Sequence, residues 1–94
     1  MAYNLKLTEE AKDDFRGMFQ YYLEATQDIA TTESIIQDIR GKIEDLKVFP
    51  FRCPALNPDD QAFRALYYKR YAILYEVQED TVVILNVKHT SILQ

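Results

Sequence analysis

The sequence predicts an α+β domain of order β-α-α-β-β-β, with a helical hairpin on one face of a mostly antiparallel four-stranded sheet. Three observations point there. Apolar residues recur at helical spacing from Ala11 to Leu46. From Ala62 onward aromatic and β-branched residues dominate instead, and short polar tips separate the apolar runs. Two polar residues that cap helices, Thr8 and Asp28, stand where the helical patterns begin.

The elements follow in order. Tyr3-Asn4-Leu5-Lys6-Leu7 alternates with period two and reads as a short strand joined to the later sheet. Thr8 caps a first helix, and Glu9 and Glu10 complement the positive end of its dipole. Ala11, Phe15, Met18, Tyr22 and Ala25 form one stripe of that helix, widened by Phe19. Asp28 opens a second helix, in which Ile29, Ile36, Ile39, Ile43 and Leu46 share a face with Ile35 beside them. A short link between two helices of similar length predicts an antiparallel hairpin. Pro50 ends the second helix, since the residue before a proline is pushed out of helical geometry. Pro50, Pro54 and Pro58 then make regular pairing improbable, and Asn57-Pro58-Asp59-Asp60 reads as a turn. Three strands follow at Phe63 to Tyr68, Tyr71 to Val77 and Thr81 to Val87, linked through Lys69-Arg70 and Gln78-Glu79-Asp80 as a meander.

Composition narrows the function. Ninety-four residues make one domain, 1–94, and the 48% apolar and 28% charged fractions are those of a globular chain. One Cys and one His exclude a disulfide framework and a structural zinc site. There is no basic-then-apolar leader and no apolar run near the ~20 residues that span a bilayer, so a cytoplasmic protein without a membrane role is expected. No cofactor motif is present. Residues 1–60 carry 7 Lys/Arg against 12 Asp/Glu; residues 61–94 carry 4 against 3. The whole chain nets −4, which supplies no general attraction for nucleic acid.

Several pieces together resemble the RelE/ParE superfamily of bacterial type II toxins, from about Tyr3 to His89. They are Leu7-Thr8-Glu9-Glu10-Ala11-Lys12-Asp13-Asp14-Phe15 after a strand, Leu46 with Pro50, Arg64-Ala65-Leu66, Tyr71-Ala72-Ile73-Leu74-Tyr75-Glu76-Val77, and Val83-Ile84-Leu85-Asn86-Val87-Lys88-His89. The long hairpin and the Arg64-x-Leu66 stretch are closer to the ParE side. That resemblance implies a toxin that poisons DNA gyrase by binding and is neutralised by a small antitoxin. The RelE side implies a ribosome-dependent messenger RNA endonuclease, and a decayed, non-toxic member is a third alternative. The chain differs from the family pattern at Phe51-Arg52-Cys53-Pro54, where a glycine is common, and in a tail, 90–94, without arginine.

Cleavage of RNA by its own 2′-OH needs a base, an acid and cations for the phosphoryl oxygens. Arg64 and His89 are the catalytic candidates under that alternative, with Lys69, Arg70 and Lys88 as further cations and Tyr68 or Tyr71 as stacking groups. Against this, strict alternation puts His89 on a face with Val83, Leu85 and Val87, as a packed side chain. Arg64 fits either a phosphate or partner carboxylate or an ion pair with the helices. Lys69 and Arg70 sit in a tight turn and read first as a solvated hairpin tip. Tyr71 and Tyr75 are expected in the core, and Cys53, beside Arg52 but with no adjacent base, is expected as a free loop thiol. The partner-binding candidates are Arg64, Leu66, Tyr68, Lys69, Arg70 and Lys88. Leu66, Tyr68, Ala72, Leu74, Val82 and Ile84 supply apolar side chains of both parities, more than one core face requires. The surplus suits an amphipathic antitoxin segment, or a second copy of this chain in a homodimer.

Overall fold

The computed structural model describes residues 2–90. Met1 and residues 91–94, which include most of the arginine-free tail, lie outside the described residues. Seven elements follow along the chain: β1 (Asn4–Leu7), α1 (Glu9–Thr26), α2 (Ile29–Asp45), β2 (Ala55–Asn57), β3 (Asp60–Tyr68), β4 (Tyr71–Val77) and β5 (Thr81–His89). The strands form one sheet in the order β1-β5-β4-β3-β2, with β1 parallel to β5 and the other neighbours antiparallel.

The sheet therefore has five strands where the sequence predicts four. The prolines at 54 and 58 leave three residues free to pair, and β2 uses them at the sheet edge, where a neighbouring proline is tolerated. The Asn57 side chain accepts from the Asp59 backbone N–H at 3.0 Å, and this turn folds β2 back onto β3. Pairing with β2 also starts β3 at Asp60 instead of Phe63.

Both caps form as the sequence implies. The Thr8 hydroxyl accepts from Ala11 N at 3.1 Å and donates to Leu85 O at 2.6 Å, tying the start of α1 to β5. The Asp28 carboxylate accepts from Ala30 N at 3.1 Å and from the Thr31 hydroxyl at 2.6 Å. Between the helices Gln27 adopts the left-handed conformation (φ 54°), and its N–H bonds Leu23 O at 2.8 Å. Ala11, Phe15 and Met18 of α1 and Ile36, Ile39 and Ile43 of α2, with Leu46, pack on Leu66, Ile73, Tyr75, Val82, Ile84 and Val87. Burying each large side chain contributes about 1.5–3 kcal/mol, so this one layer dominates stability. The stripe stops short of its expected length. Ala25 and Ile29 are exposed, because the outer turns of the hairpin run past the residues that reach the sheet.

One irregularity changes a face assignment. Leu74 pairs with Asn86 but Tyr75 pairs with Ile84, so Leu85 is an extra residue in β5. After this bulge the parity reverses, and Val87 joins Val82 and Ile84 under the helices, no longer sharing a face with Val83. His89, two residues on, is carried with Val87 to the helix side, opposite Tyr71.

Candidate functional site

The two cationic ends of the sheet are built differently. At one end Arg64 is 7% exposed although it carries a full charge. Its Nε donates to Gln61 O at 2.9 Å, Nη2 donates to Gln61 Oε1 at 3.0 Å, and Nη1 donates to the carbonyls of Phe51 and Cys53. The guanidinium also lies 4.7 Å from the centroid of the Phe51 ring. Beside it the Tyr75 hydroxyl donates to Pro50 O at 2.7 Å, and burial raises its pKa, with the Cys53 thiol adding to the effect. These bonds hold the proline-rich loop against β3 and β4. All are internal, and they spend the guanidinium on three backbone carbonyls and the Gln61 side-chain oxygen.

At the other end the β3–β4 turn places Lys69 in the left-handed conformation (φ 54°) and leaves Lys69 and Arg70 exposed. Thr90 N donates to Arg70 O at 2.7 Å, closing the sheet there. The Tyr71 and Tyr22 hydroxyls meet at 2.6 Å, and the His89 ring stands edge-on to Tyr71 at 5.4 Å between centroids. Burial raises the Tyr71 pKa, and the Tyr22 hydroxyl adds to the shift, so the Tyr71 phenol stays protonated at neutral pH. A groove of about 620 Å³ opens here, lined among others by Tyr21, Tyr22, Arg70, Tyr71, Lys88 and His89. Lys88 Nζ contacts Asp14 Oδ1 at 2.9 Å and Glu10 Oε2 at 3.2 Å, which raises its pKa, Asp14 first. Asp14 accepts in addition from Val87 N at 2.9 Å.

The structure does not bring Arg64 and His89 together. Arg64 pairs across to Tyr75 and His89 to Tyr71, four residues apart along β4, or about 13 Å at a strand's rise. What it does bring together is His89, Arg70, Lys88 and the two tyrosines. Of the partner-binding candidates, Leu66 lies in the core and Tyr68 packs against it, with Lys42 and Lys69 over its ring. Val82 and Ile84 are also core residues, so the surplus apolar parity is smaller than the sequence suggests. The helix-free face carries Phe63, Ala65, Tyr67, Ala72, Leu74 and Val83, of which Tyr67 is the most open at 65%.

Two participants escaped the sequence reading. Asp14 and Tyr22 form the groove's internal bonds, yet in the sequence Asp14 stands out only as part of the segment that opens α1 and Tyr22 only as part of its inward stripe. The signal for Asp14 was its position three residues after Ala11 and four before Met18, on the inward side of α1. Cys53 is a free thiol in the loop before β2, as expected, and it is buried there. Among the described residues no group of His, Cys, Asp and Glu is placed to hold a metal ion, and no helix is long and apolar enough to cross a membrane.

The family described as the ParE toxin of type II toxin–antitoxin system, parDE, matches residues 5–93. No curated protein is matched by the sequence. Among solved structures, the chain is similar to one from the chromosomal ParDE toxin–antitoxin system of P. aeruginosa, with a TM-score of 0.75 at 18% identity, covering 94% of this chain and 96% of that one. It is also similar to one from the toxin–antitoxin complex RelBE2 of Mycobacterium tuberculosis, with a TM-score of 0.62 at 24% identity, covering 95% and 99%. A conserved hypothetical protein from Helicobacter pylori gives a TM-score of 0.54 at 24% identity, covering 95% and 96%. At these identities the structural likeness concerns the fold.

Proposed function

The chain belongs to the ParE toxin family of type II toxin–antitoxin systems, and on that premise we propose that it poisons DNA gyrase by binding it in the cytoplasm. A small antitoxin, encoded beside it, neutralises it by covering its exposed apolar surface, with Lys69, Arg70 and Lys88 as polar contacts at the rim. The observation that carries this reading is the state of Arg64: its donors are occupied by carbonyls, and His89 stands at the far end of β4. A protein-binding toxin needs no convergent acid, base and phosphate cation, whereas an RNA-cleaving one does.

The second reading is a RelE-like ribosome-dependent endonuclease. The grouping of His89 with Arg70, Lys88 and Tyr71 around one groove favours it, with Arg70 in place of Arg64 as the phosphate cation. Induction of the chain in bacteria separates the two. Gyrase-linked double-strand DNA breaks, suppressed when the adjacent small gene is co-expressed, are the expected result. Cleaved messenger RNA with intact DNA would overturn the gyrase reading in favour of the endonuclease. Unaffected growth would mark a member that keeps its fold and antitoxin grip without toxicity. Mass measurement of the co-purified proteins distinguishes a toxin–antitoxin hetero-oligomer from a homodimer of the toxin.

A further inference from the structure

Two grooves meet at the Tyr22–Tyr71 hydroxyl pair. The larger runs along α1 toward Lys88 and His89; the smaller, about 220 Å³, runs beneath α2 toward Ile35 and Tyr68. Arg70 lines both. Nearby, Lys88 is held by Asp14 and Glu10, and Lys69 lies 3.8 Å from Asp38. Arg70 alone of these three makes no ion pair among the described residues. In a chain with 15 acidic and 11 basic residues, a guanidinium left over at the junction of two grooves is a feature to account for.

Gly17 is a second such feature. It lines the larger groove in the middle of α1, and a Cβ there would meet nothing within 4 Å. A mid-helix glycine costs about 1 kcal/mol relative to alanine, and no neighbour among the described residues requires it. Its effect is a bare strip of helix backbone beside the groove, where another chain can approach closely.

We infer that this double groove receives a segment of a protein partner that presents a carboxylate to Arg70 and apolar side chains to the tyrosine-lined walls. One planar guanidinium between apolar walls matches one carboxylate, which it binds through paired N–H donors. A nucleic-acid strand fits worse. Asp14 and Asp38 hold Lys88 and Lys69 in ion pairs. Among the described residues Arg70 is thus the one Lys or Arg lining the grooves without a carboxylate partner, too few cations for a run of phosphates, and the net charge of −4 adds no attraction. The inference rests on the protein-binding reading above only in its choice of macromolecule.

Random peptides displayed on phage, selected against the folded full chain and against R70E, test it. The unaltered chain is expected to enrich peptides with an Asp or Glu flanked by aromatic or aliphatic residues, and R70E to enrich Lys or Arg at that place. A synthetic peptide of the first consensus should bind about tenfold or more weakly to Arg70→Gln, the loss of one charge-assisted contact. Gly17→Leu, which fills the strip without touching Arg70, should weaken it comparably. Thermal unfolding of both variants shows that each is folded. Selection of no peptides, of peptides without acidic bias, or of peptides indifferent to Arg70→Gln overturns the inference. So does tighter, salt-sensitive binding of a short oligouridylate that R70E abolishes. None of these readouts involves growth, so failure here leaves the gyrase reading standing, and an absence of toxicity leaves the groove standing.

Discussion

Arg64 and Arg70 lie on the same β-hairpin, yet the chain uses them in opposite ways. Arg64 points under the proline-rich loop, loses its water, and recovers the cost through donors aimed at Gln61, Phe51 and Cys53. Arg70 sits in the turn, keeps its water and binds no carboxylate among the described residues. The difference teaches that charge type does not mark a binding site; the accounting of hydrogen bonds does. A buried cation that is saturated internally is a staple, and an exposed one beside a groove remains available to another molecule.

The largest expected effect comes from breaking the staple. Arg64→Met should leave the carbonyls at the loop without donors and lower stability by about 3 kcal/mol, with Arg64→Lys recovering little because an ammonium cannot span the same acceptors. Urea titration measures it; a loss below the error of the titration would show the arginine to be dispensable. At the same end, Tyr75→Phe should cost about 1–2 kcal/mol by leaving Pro50 O buried and unbonded. At the other end the hydroxyl pair is only partly buried. Tyr22→Phe and Tyr71→Phe should each cost about 0.5–1 kcal/mol, and the double variant should cost less than their sum. Additive costs would mean that the two hydroxyls do not depend on each other.

The smallest effect is a pH dependence. Lys88 has a raised pKa in the folded chain because Asp14 and then Glu10 face it. Its contribution to stability is complete below the ordinary lysine pKa of about 10.4 and is lost as pH rises through the higher folded value. Stability should therefore decline in that alkaline window, and the decline should be shallower in Lys88→Met. An unchanged slope would show that the ion pairs are fully screened by solvent.

Most of the fold was legible because it depends on local chemistry. The caps at Thr8 and Asp28, the inward stripes of both helices and the tips at Lys69-Arg70 and Gln78-Glu79-Asp80 each follow from a few neighbouring residues. The fifth strand was not legible, because three residues between prolines carry no period and pair only once the Asn57 turn has folded. The site was less legible still. The bulge at Leu85 shifted every later residue of β5 by one face, so His89 could not be placed by alternation from Val83.

By itself, then, the sequence determined the α+β class, the helical hairpin, the three-strand meander and the family to which the chain belongs, because periodicity, capping and turn chemistry act over short stretches. Tertiary structure alone decided which cation is a staple and which makes no ion pair among the described residues, where His89 stands, and that Asp14 and Tyr22 build the groove. The staple depends on contacts 11 and 13 positions apart, from Arg64 to Cys53 and Phe51, and the groove on contacts 49 to 74 positions apart, as between Tyr22 and Tyr71 or Asp14 and Lys88. No local pattern encodes such distances; only the packing of α1 against the end of the sheet sets those of the groove.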